Sequence, residues 1–156
     1  MFKEMLLLFH PTIAVIIMLL IVWFIASLTC KEINDRRIKK ISLLIALLMI
    51  IIWISAGYWY VQYYSSDKAM IIKSNWSFTH KFFMETKEHI FFIVLILSLY
   101  LPIVALKNDI AKNQIAKKLL ITIGILLLSL MLYIEGAGAI IAQGAKMAYI
   151  NQEVTK

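Results

Sequence analysis

The sequence predicts an all-α fold, an integral-membrane antiparallel four-helix bundle. Three observations carry this prediction. Of the 156 residues, 62% are hydrophobic and only 16% are charged, whereas soluble domains sit near ~45–50% and ~25%. The apolar residues gather in four long runs, and the charges gather between them. Runs of this length match the ~20 apolar residues that a helix needs to cross a bilayer. Lipid offers no partner to a bare N–H or C=O group, so the runs are helices and not strands. At this length the whole chain, 1–156, reads as one transmembrane domain.

The first helix is expected over 5–29. That run far exceeds the ~7–15 residues of a signal-peptide core, and no A-x-A cleavage site follows it. The second helix is expected over 41–64 and ends in "YWYVQYY", Tyr58 to Tyr64. Amphipathic rings of this kind settle at headgroup depth. A loop is expected over 65–81. The third helix is expected over 82–106 and the fourth over 119–146.

The connections give the orientation. The first carries Lys31, Arg36, Arg37, Lys39 and Lys40, and the last carries Lys107, Lys112, Lys117 and Lys118. The middle one has only Lys68, Lys73 and Lys81 against Asp67. The positive-inside rule therefore puts the first and last connections in the cytoplasm and both termini outside, in a bacterial inner (plasma) membrane. The same rule accounts for the net charge of +7, so nucleic acid is not an expected partner. The lipid bilayer is one, and a homo-oligomer is compatible with the pattern. A single cysteine, Cys30, excludes an intrachain disulfide. No phosphate-binding glycine loop, cysteine pair or Ser/His/Asp grouping is present.

Four candidate chemical positions fall in or near the outer halves of the helices. Glu135 lies in "YIEGAGAIIAQGAK", on the order of 15 Å inside the outer end of its helix at ~1.5 Å per residue. A carboxylate there costs ~2.5–3.5 kcal/mol, so it should face the bundle interior and have a partner. Gly136, Gly138 and Gly144 would let a helix or a flat ligand approach closely. His10 opens the first helix just before Pro11, which is tolerated in a first turn. His89 lies about two turns into the third helix. Glu85, four residues earlier on the same face, is placed to orient its imidazole. His80 sits among Trp76, Phe78 and Phe82 and is expected at the interface.

Two imidazoles on different helices suit a haem b, with His10 and His89 as axial ligands and His80 as a substitute. Lys87 or Lys81 would meet the propionates. Glu135 would be a proton-linked group beside it, and the glycine face of the fourth helix would offer a slot for the ring. Electron transfer with a quinone or a redox partner protein is the expected function. The same region also offers copper or zinc a donor set of His10, Met84, Glu85, His89 and Glu135. A structural subunit of a larger membrane complex is a further reading.

A histidine after Phe9 opens the first helix. "IIKSNW", Ile71 to Trp76, precedes a helix with Lys87 early in its apolar run. In these features the chain resembles the small multi-helix membrane family that includes the copper-resistance D proteins and the haem-dependent protoporphyrinogen oxidases. In the oxidases a first-helix histidine and a third-helix lysine are the functional pair. The resemblance implies that His10 and Lys87 hold those roles here. It covers the first three helices. The first helix departs from the oxidase pattern, lacking its Trp, Gly and Pro-Arg features.

Overall fold

A computed structural model describes residues 2–154, with side chains described except at 2–4, 6–7 and 152–154. It contains α1 (Phe2–Thr29), α2 (Asp35–Trp59), α3 (Ser65–Lys73), α4 (Glu85–Lys107) and α5 (Gln114–Val154). Two π-helical turns interrupt this order. One, Tyr60–Tyr64, joins α2 to α3 without a break; the other, Thr79–Met84, leads into α4. No strand occurs among the described residues, and four helical stretches are long and apolar enough to cross a membrane.

The spanning helices form a ring. α1 packs on α2 and α5, and α4 packs on the same two neighbours. Each pair consecutive in sequence is joined by a short connection, so neighbours run antiparallel. The core between them is aliphatic: Ile17, Ile21, Phe24, Ile45, Met49, Val94, Leu101, Leu120 and Leu127 are fully or almost fully buried. Large apolar side chains such as Leu19, Trp23, Leu47, Ile96 and Leu132 face outward. An apolar exterior around an apolar core is what a lipid-facing bundle requires.

The helices are unequal in length. The stretch Asp35–Lys73 has 39 residues and α5 has 41. At ~1.5 Å per residue each is about 60 Å long, twice the ~30 Å of a hydrocarbon core. Their far ends carry a second, smaller core of Tyr64, Ile71, Met84, Ile141 and Ala148, flanked by Trp59, Tyr60 and Phe83. This platform is built from α3, the second π turn and the C-terminal part of α5, which pack on one another. The Tyr149 hydroxyl donates to Asp67 Oδ1 at 2.9 Å and ties α5 to α3.

The expected loop over 65–81 is therefore mostly helix, and only residues 74–78 connect the two arms. The first π turn explains how α2 reaches the platform in phase. Ile52 and Tyr64 are both buried. On an unbroken α-helix their 12-residue separation would leave them about 120° apart. The π turn absorbs one extra residue, which reduces the mismatch to about 20° and puts Tyr64 on the core face.

The opposite, basic end is closed by short polar side chains. Asn34 caps α2 by accepting from the Arg37 N–H at 3.0 Å. Asn113 caps α5, accepting from the N–H groups of Ile115 and Ala116 at 3.1 and 3.0 Å. Its amide also donates to Asn108 Oδ1 at 2.9 Å, and the Asn108 amide donates to the Val104 carbonyl at the end of α4. Asp35 joins the two connections, accepting from the Ile110 N–H at 2.9 Å while pairing with Lys39.

Candidate functional site

At the aromatic end, polar side chains from α1, α4 and α5 converge. His10 on α1 is half-buried, and the edge of its ring meets Phe91 of α4 at a centroid distance of 6.4 Å. Its Nδ1 is buried and has no hydrogen-bond partner. Lys87 of α4 lies within electrostatic reach of both His10 and Glu135 of α5. A Cβ built on Gly138 would stand 3.0 Å from Lys87 Nζ, so the glycine makes room for the ammonium group. Lys87 and Glu135 nevertheless close no ion pair. Among the described residues the ion pairs are Asp35–Lys39 and Asp109–Lys112, both at the basic end.

This arrangement brings together three of the residues singled out from the sequence and leaves the others elsewhere. His89 lies exposed on α4, and its Nδ1–H donates to the Glu85 main-chain carbonyl at 2.7 Å. The relation to Glu85 thus exists, but through the backbone; the Glu85 carboxylate is not what holds the ring. His10 is half-buried, whereas His89 is exposed. His80, expected at the interface, is only 5% exposed. Its Nδ1 is hydrogen-bonded to the Tyr64 hydroxyl at 3.0 Å, so it is a bridge between the two π turns. Met84 is buried in the platform core, away from the exposed Glu85 and His89. Among the described residues no group of three His, Cys, Asp or Glu side chains is placed to hold a metal ion.

The glycine face of α5 is not an open slot. At Gly144 a Cβ would fall 2.5 Å from Thr79 Oγ1 and 2.8 Å from its methyl group. Thr79 is itself fixed, its hydroxyl donating to the Trp76 carbonyl at 2.8 Å. Gly138 is covered by Lys87, whereas Gly136 has nothing near it and faces outward. For a haem, the free His10 nitrogen and Lys87 within its electrostatic reach fit; the filled glycine face does not.

A second set was not singled out from the sequence. Trp59 Nε1 and Glu88 Oε1 are both buried and have no hydrogen-bond partner. Glu88 faces Tyr60. Tyr60 stacks on Tyr64 at 5.1 Å and 25°, and Trp59 meets Tyr64 at 6.1 Å. The available signal was the 12-residue step from Ile52 to Tyr64, which betrays the inserted residue that turns these rings inward.

No family model, curated protein or solved structure matches the chain.

Proposed function

We propose that this chain is a membrane-embedded b-type haem protein, with its site at the aromatic end of the bundle. The observation that carries this reading is the buried, unpartnered ring nitrogen of His10 beside Lys87 on another helix. A buried polar atom without a partner is rare and calls for a ligand, a proton or a water. A neutral imidazole is a good iron ligand, and a lysine nearby suits a propionate. In this reading His10 would hold the iron from the bundle interior, Lys87 would hold a propionate and Glu135 would hold the accompanying proton. Haem would supply one-electron chemistry, linked to a membrane quinone or a partner subunit. The basic end faces the cytoplasm, as the Lys and Arg distribution favours, and the site then serves the outer leaflet.

The test is an absorption spectrum of protein expressed with ample haem. A Soret band and a stoichiometric pyridine haemochrome are expected, and both should disappear in His10→Ala. Absence of haem from well-folded wild-type protein overturns the reading and leaves a packing subunit as the simplest one. Stoichiometric copper or zinc without iron would favour a metal-handling protein instead.

A porphyrinogen-oxidase-type enzyme is a second reading, favoured by one observation. His10 and Lys87, the two positions that the resemblance singles out, lie within electrostatic reach of each other. Complementation of a strain lacking that activity tests it, and failure to restore growth removes it.

A further inference from the structure

The two π turns face each other across the platform, joined by the hydrogen bond between Tyr64 and His80. π turns of this kind are concentrated at functional sites, because they spend helix regularity on aiming side chains. Here the first turn sets Tyr60 and Tyr64 within reach of Glu88 on α4, and Trp59, the residue before the turn, lies against Tyr64. The result is an aromatic wall bordered by two unsatisfied atoms of opposite character. Trp59 Nε1 can only donate, and the Glu88 carboxylate oxygen accepts. Leaving a buried donor and a buried acceptor unmatched costs folding free energy. On the Glu88 side the free atom is Oε1, left over beside the contact of the carboxylate with the Tyr60 hydroxyl; on the Trp59 side it is the ring's one donor.

We propose that the Trp59–Tyr60–Glu88 set is a binding site for the ring of a hydroquinone drawn from the membrane. The ligand class follows from the lining. A flat ring stacks on the tyrosine pair. One ring oxygen accepts from the Trp59 N–H, and a ring hydroxyl donates to Glu88. The position at the aromatic end of a lipid-facing bundle admits a lipid-dissolved ligand without passage through water. This inference deepens the quinone-linked function proposed above by naming where the quinol sits, but its geometry uses neither His10 nor Lys87.

The test uses the full chain reconstituted in phospholipid nanodiscs, titrated anaerobically with a short-tailed benzohydroquinone in a calorimeter. Saturable binding of one ligand per chain is expected. Trp59→Phe and Glu88→Ala should each weaken it about tenfold, the factor that ~1.4 kcal/mol represents for one lost hydrogen bond. Gln62→Ala, an exposed change in the same π turn, should leave it unaltered. A methylated benzene of the same size, lacking both oxygens, should bind wild-type protein at least about tenfold more weakly. The proposal is overturned by absence of saturable binding, by equal binding of the oxygen-free ring, or by wild-type affinity in both site variants. Because His10→Ala should bind the hydroquinone normally, loss of haem with quinol binding intact refutes only the haem reading. Haem present without quinol binding refutes only this one.

Discussion

The two ends of the bundle solve the same problem in opposite ways. At the basic end, helices must stop and turn, and the backbone N–H groups of Arg37, Ile110, Ile115 and Ala116 and the Val104 carbonyl each find a short polar side chain. Asn34, Asn108, Asn113 and Asp35 do this work between them. At the aromatic end two of the helical stretches, Asp35–Lys73 and α5, run on to a length about twice that of a hydrocarbon core. There the packing is bulky and aromatic, and three buried polar atoms, on His10, Trp59 and Glu88, have no partner. A region built only for stability satisfies its polar atoms, since each one left over costs folding free energy. The contrast separates an end whose polar groups are capped from an end that leaves polar atoms over.

The comparison can be broken most forcefully at Gly144. Gly144→Ala should push Thr79 out of place and destabilise the platform by about 1–3 kcal/mol, the usual cost of overpacking. Thermal unfolding in detergent would measure it. Hydrogen exchange should place the loss in the platform, and uniform deprotection through the bundle would contradict the division into two layers. Next in size is Asn113→Ala. It removes the α5 cap and the link to Asn108, so a loss of about 1–2 kcal/mol is expected, and the aromatic end should exchange as before. Tyr64→Phe comes third. It strands the His80 ring nitrogen and should cost about 1 kcal/mol. The same variant should loosen the two π turns, read as faster exchange in residues 60–64 and 79–84. The smallest effect belongs to Lys112→Ala. Its pair with Asp109 is exposed, and pairs of that kind contribute little. A denaturation midpoint indistinguishable from wild type is expected, and a clear shift would mean that the basic end depends on charge rather than on its caps.

The spans were legible in the sequence because crossing lipid imposes a length and a composition that nothing else in the chain imitates. Their ends were less so. The segment 65–73 has too little apolar character to read as membrane helix, and it is helical because the platform packs it against α5. Glu135, Lys87 and His10 were visible as polar residues inside apolar runs, and they do converge. His89 was misleading for a physical reason. A four-residue spacing from Glu85 predicts a shared helix face, but it does not say whether side chain or carbonyl takes the imidazole N–H. Trp59 and Glu88 passed unnoticed because their significance depends on a π turn. Without the inserted residue, the rings of 59–64 read as an ordinary interfacial belt.

α5 passes through both layers without a break. Glu135 and Gly138 sit on it in the bundle, and Gly144 meets Thr79 on it in the platform. A continuous helix transmits twist along its axis far more readily than it bends. A small rotation that carried Gly144 off Thr79 would therefore also swing Gly138 away from the Lys87 ammonium. In mechanical terms α5 is a shaft keyed at two points six residues apart, so the ammonium and the platform cannot be set independently.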